Sequence, residues 1–146
     1  MEKLLISACL FGQSVTYKGT NHAINKEELE KFFELIPVCP EVMGGLPIPR
    51  LPSERMGDSV YHQNGKDVTE NYQKGAEIAL QLCQKHTIHY ALLKAKSPSC
   101  GKMCYDGTFS HHLIDRPGVT VELLSKHGIE VFDETEIEKL LEIARK

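Results

Sequence analysis

Four short apolar runs constrain this chain more than any other feature: KLLISA at 3–8, LIPVC at 35–39, IHYALL at 88–93 and IEVF at 129–132. Each is short, apolar without strict alternation and bounded by loop residues, which is how a strand buried on both faces reads. Pro37 moves the second run towards a sheet edge, because proline cannot donate to a ladder. Helical patterns lie between and after the runs. NKEELEKFFEL at 25–35 places Leu29, Phe32 and Phe33 on one face, with Asn25 as N-cap and Glu28 three residues later. VTENYQKGAEIALQLCQKHT at 68–87 carries the stripe Tyr72, Ala76, Ala79, Leu80 and Cys83, with Thr69 as its cap. GVTVELLSKHG at 118–128 ends at a glycine, and ETEIEKLLEIARK at 134–146 closes the chain. Strands alternating with helices predict an α/β fold. The expectation is a compact single domain over 1–146, three-layered and Rossmann-like, with a mainly parallel sheet of about four strands.

The segment 40–65, PEVMGGLPIPRLPSERMGDSVYHQNG, has four prolines and four glycines. It reads as an ordered loop excursion with a small hairpin around Asn64-Gly65. No repeat, linker or low-complexity tract interrupts the pattern. No apolar run approaches the roughly 20 residues that span a bilayer, and MEKLLISACLFG lacks the features of a signal peptide. The expected location is the cytoplasm, with no membrane partner. A net charge of −3 argues against a protein that holds DNA through its phosphates.

Five cysteines, an odd number, argue against a disulfide framework, and no C-x-x-C occurs. Cys83 falls on the apolar stripe of a helix and reads as a small core hydrophobe. Cys9, Cys39 and Cys100 differ, since each follows or ends a predicted strand. In a parallel sheet those strand ends face the same way, where the functional loops of α/β proteins lie. Three soft thiolates on one rim suit a metal or an iron–sulfur cluster. A cube normally takes four cysteines, so three leave one iron open, and an open position marks a catalytic centre. Cys104, four residues after Cys100, is the competing fourth ligand. With it the site would be closed, and electron transfer or cluster carriage would be the reading. A plain nucleotide-binding module is a third possibility, but G-x-G-x-x-G and Walker loops are both missing.

Five motifs together carry a resemblance: ISACLFG at 6–12, PVCPEVMGGLPIPR at 37–50, GKDVTENYQKGA at 65–76, LLKAKSPSCG at 92–101 and YDGTF at 105–109. In this order, and over nearly the whole chain, they resemble the small bacterial desulfurases typified by thiouracil desulfurase. The resemblance implies a 4Fe–4S cluster held by Cys9, Cys39 and Cys100, which aerobically handled protein is liable to lack. It implies that the fourth iron binds the sulfur of a small thiolated nucleobase or nucleoside, with C=S replaced by C=O and no net redox change. It marks Glu41 and the serines Ser97 and Ser99 as the acid/base and hydrogen-bonding groups.

The chemistry suits these residues. A carboxylate two positions beyond a cluster ligand can take a proton from attacking water and later return one. Serine hydroxyls beside a cluster cysteine can tune its sulfur or hold a base edge. Arg50 is a candidate for gripping an anionic part of the substrate, with an internal carboxylate pair as the alternative. Asp106 is a second substrate-binding candidate, although Asp-Gly is first a turn signal. Lys94 and Lys96 make the strand end positive, or snorkel. Adjacent His111 and His112 read as surface loop. Oligomeric state is not legible.

Overall fold

Leu4, Leu5 and Ile6 are fully buried in the first strand, β1 (Glu2–Ser7), the centre around which the chain is built. The computed structural model describes every residue except Asp106, Thr108, His111 and Asp115. β1 pairs in parallel along its whole length with β2 (Phe33–Val38), from Glu2 opposite Phe33 to Ser7 opposite Val38. On its other side Leu4–Ile6 pair with β5 (Tyr90–Leu92), which pairs with β8 (Glu130–Phe132). The sheet order is β2-β1-β5-β8, all parallel, as expected. Pro37 indeed lies on an edge strand.

Side chains alternate between two cores, as the two-residue period of a strand requires. Leu4, Ile6, Leu92 and Phe132 face one way, onto Leu29, Leu140 and Leu141. Leu29 comes from the single turn α2 (Glu27–Glu30), and the other two from α6 (Ile137–Arg145). Leu5, Val38, Ala91 and Val131 face the other way, onto Ala79 and Cys83 of α4 (Thr69–His86) and Val121 and Leu124 of α5 (Val119–Lys126). Each fully buried leucine contributes about 1.5–3 kcal/mol of transfer free energy. The result is three layers with the sheet in the middle.

Several elements depart from expectation. The helix expected over 25–35 is one turn. Asn25 does accept from the Glu27 amide, but the helix stops at Glu30 and Phe33 already belongs to the sheet. Six residues of parallel pairing with a buried neighbour outweigh the helical spacing of Leu29, Phe32 and Phe33. Thr69 does not cap α4 with its side chain. It is the first helical residue, behind Val68, and its amide and hydroxyl both donate to Asp67 Oδ1, at 2.9 Å and 2.6 Å. The excursion at 40–65 holds one helical turn, α3 (Pro40–Met43), and a hairpin of β3 (Ser53–Met56) and β4 (Ser59–His62). The hairpin turns at Gly57-Asp58, where Gly57 takes a positive φ of 61°. Asn64-Gly65 forms a separate turn closed by a single Tyr61–Asp67 bridge. A second small hairpin, β6 (Cys104–Tyr105) with β7 (Leu113–Ile114), was not foreseen.

α3 lies against α4 with backbones touching. The Asn71 side chain donates to the Gly44 carbonyl at 2.9 Å. A Cβ on Gly75 would stand 1.8 Å from the Pro40 carbonyl oxygen. This contact fixes the position of α3, which matters for the site.

Candidate functional site

The loops beyond the C-terminal ends of β1, β2 and β5 enclose a cavity of about 520 Å³. Cys9, Cys39 and Cys100 all line it, together with Glu41, Arg50 and Ser97. Each thiol reaches the rim by a different local device. β1 runs into one helical turn, α1 (Ala8–Phe11), which carries Cys9 and ends at Gly12 in the left-handed region, φ 114°. Cys39 is the extended residue between β2 and α3, and Pro40 opens the turn behind it. Cys100 sits in the loop after β5, and that loop is heavily braced.

The bracing explains the serine-rich sequence around Cys100. The Ser97 hydroxyl oxygen accepts from the amides of Ser99 at 3.1 Å and Cys100 at 3.0 Å. Ser99 is fully buried and does not line the cavity, and its hydroxyl lies 2.7 Å from that of Thr120 and accepts from the Cys100 thiol at 3.9 Å. The carbonyls of Pro98, Ser99 and Gly101 accept from the first amides of α5 and from Gly118. A side chain on Gly118 would come within 2.5 Å of the Ser99 oxygen, so only glycine allows this approach. Of the two serines, Ser97 faces the cavity and Ser99 secures the loop.

The three thiols feel one another. Burial, then the neighbouring Cys39, push the Cys9 thiol up to about 11, with Lys94 opposing. Burial raises Cys39 as well, partly offset by the Val42 amide. Cys100 is raised furthest, first by burial, and further by Cys39, Glu41 and Cys9, while a hydrogen bond from Ser7 opposes the rise. Among the described residues no three His, Cys, Asp or Glu side chains close around a single point as one bound ion requires. All five cysteines are free.

Glu41 projects from α3 and is held from behind. The Tyr72 hydroxyl donates to its Oε1 at 2.5 Å, and Arg50 Nε approaches the same oxygen at 3.4 Å. The Arg50 side chain is almost fully buried, and its other nitrogens donate to the carbonyls of Pro47 and Val15. Its guanidinium is thus engaged with protein groups, although it also lines the cavity. Lys94 lines the cavity paired with Glu134 at 2.8 Å, and Lys96, at φ 66°, lines it as well.

Two cysteines stay outside. Cys83 is on the core face of α4, beside a separate hollow of about 260 Å³. Cys104 is fully buried in β6 opposite Ile114 and does not line the cavity. His112 is exposed, while the readings for His111 and Asp106 lie outside the described residues. Sequence reasoning missed Ser7, a cavity-lining residue whose hydroxyl accepts from the Lys94 amide at 2.9 Å. It also saw Tyr72 only as core. A serine ending a buried strand and a tyrosine in an alanine stripe were the available signals.

A parallel α/β sheet that brings three thiols and a buttressed carboxylate to one cavity makes that cavity the candidate site of an enzyme. The chain belongs to the 2-thiouracil desulfurase family, whose model matches residues 4–136. It is 35% identical over 150 residues to YbbK, an uncharacterized protein of Bacillus subtilis (strain 168), covering 94% of this chain and 99% of that one. Among solved structures it is similar to TudS, described as a 4Fe–4S-dependent thiouracil desulfidase. The TM-score is 0.92 at 44% identity, covering 96% of this chain and 95% of that one.

Proposed function

We propose that this protein is a 4Fe–4S-dependent desulfurase acting on a small thiolated nucleobase or nucleoside, with thiouracil as the reference substrate. The observation that carries the reading is the meeting of Cys9, Cys39, Cys100 and Glu41 at one cavity in a chain of this family. The net reaction takes up water and releases hydrogen sulfide as C=S becomes C=O, so no electrons are gained or lost.

The donor set fits a cluster: three soft thiols, none in a disulfide, reach one cavity from three strand ends. Cys9, Cys39 and Cys100 would hold it. When bound, the cluster supplies a soft Lewis-acidic iron with a position open to the thiocarbonyl sulfur. The thiols must lose their protons on ligation, and their raised affinity for protons makes assembly a proton-releasing step. Glu41 takes the proton of the attacking water and returns one to the departing sulfur. Ser97 accepts two amide hydrogen bonds and so keeps its own proton to donate into the cavity, towards a base edge. Ser99 keeps the Cys100 loop in place. Arg50 steadies Glu41 in this reading.

The same reading makes 1–146 one catalytic domain that works in the cytoplasm on free bases or nucleosides and not on DNA. No helix among the described residues is long and apolar enough to cross a membrane. Anaerobic reconstitution tests the proposal. Iron and sulfide should be incorporated at four each per chain, as a cube requires. Added thiouracil should be converted to uracil with release of an equal amount of sulfide. Full iron content without sulfide release would overturn the reading.

A further inference from the structure

Glu41 is held asymmetrically. Both hydrogen bonds it receives fall on Oε1, from Tyr72 and from Arg50, and nothing among the described residues donates to Oε2. Glu41 lines the cavity, so Oε2 is the oxygen left for whatever the cavity holds. Tyr72 itself is fully buried on the face of α4 that packs against α3, so its hydroxyl is a fixed donor.

A phenol has one proton to give, and at 2.5 Å from the carboxylate oxygen that proton is aimed at Oε1. Burial also keeps the phenol protonated, well above its ordinary range.

We infer that Tyr72 is a positioning residue for desulfuration: with Arg50 it holds Glu41 by Oε1 and so makes Oε2 the one oxygen that exchanges protons with water in the cavity. The inference rests on the acid/base reading of Glu41. In the step concerned, a water O–H bond breaks, its proton goes to Oε2 and its oxygen bonds the thiocarbonyl carbon, whose C=S π pair moves onto sulfur. The C–S bond then breaks as C=O forms, and the proton on Oε2 and the remaining hydroxyl proton leave with the sulfur as hydrogen sulfide. A carboxylate free to rotate would present either oxygen at varying angles, and small errors of placement at a reacting centre are expensive.

A double-mutant cycle on the anaerobically reconstituted enzyme tests this. Tyr72→Phe deletes one oxygen and keeps the ring. It should retain full iron content and an unchanged KM for thiouracil, and lose kcat by about 10- to 100-fold, as expected for a lost bond to a charged group. In a Glu41→Gln background the same change should lower kcat no further, because Tyr72 acts only through Glu41. An unchanged kcat in Tyr72→Phe, a loss of iron, or an equal fall in both backgrounds would overturn the inference. Full activity in Glu41→Gln alone would instead overturn the acid/base reading of Glu41.

Discussion

Gly75 sits in the middle of α4, where helix propensity alone favours alanine by about 0.8–1.0 kcal/mol. The structure reverses that sign. The added Cβ would lie 1.8 Å from the Pro40 carbonyl oxygen and 2.6 Å from its carbon, and both are backbone atoms with no rotamer to yield. The facing contact is equally tight, since a Cβ on Gly44 would meet the Asn71 oxygen at 1.9 Å. α3 and α4 must therefore part by about 1 Å or more, an overpacking penalty of about 1–3 kcal/mol. Net of propensity, Gly75→Ala should lower stability by up to about 2 kcal/mol. For a chain of this size that is a melting point lower by roughly 4–8 °C. Pro40 stands between Cys39 and Glu41, so the displacement falls on the site directly. A shift of this order at a reacting centre predicts a fall in kcat of about 10²-fold. The assay is thermal unfolding of purified protein, followed by iron content and sulfide release after reconstitution. A Gly75→Ala protein that melts above wild type and desulfurates normally would refute the account of the α3–α4 contact.

Other outcomes follow from the site. Cys9→Ala, Cys39→Ala and Cys100→Ala should each abolish the brown absorbance of reconstituted protein, read by visible spectroscopy, and retained colour in Cys39→Ala would remove the ligand assignment. Cys83→Ala should keep the colour and lower stability by about 1 kcal/mol, measured by denaturant titration. Cys104→Ala should likewise keep its full iron and most activity, whereas iron loss would revive the carrier reading. Glu41→Gln should keep the iron and lose activity by roughly 10²–10⁴-fold, measured as sulfide release.

Much of the architecture was legible because burial writes itself into short runs. Leu4-Leu5-Ile6 is apolar on consecutive positions since helices cover both faces of the sheet. The cysteines were legible for a related reason: each follows a strand, and parallel strand ends share an edge. What the residues concealed was decided by contacts between distant segments. Phe33 has a helical neighbour pattern, yet its partner is Glu2. Thr69 reads as a helix cap, yet it is the first residue of α4, and only the hairpin ahead of it shows its hydroxyl held by Asp67 and the Val60 backbone. In the site, Ser97 and Ser99 are equivalent as letters and differ in space, because Ser97 lines the cavity while Ser99 is buried against Thr120. Cys104 is close to Cys100 in sequence, but β6 turns it into the interior. Tyr72 looks like any stripe residue, and its role depends on a carboxylate far back in the chain.

The sheet order carries a further consequence. β2, β1 and β5 are neighbours, and Cys39, Cys9 and Cys100 lie at the same end of these three strands. On the proposed ligation the cluster is therefore a clasp as well as a reagent. It joins residues that are distant along the chain, and closing such long loops removes entropy from the unfolded ensemble as a cross-link does. Losing iron would then release the ends of three adjacent strands at once, including the central one. Resistance to proteolysis should fall together with the colour, so a protease can serve as a gauge of how much of a preparation is loaded.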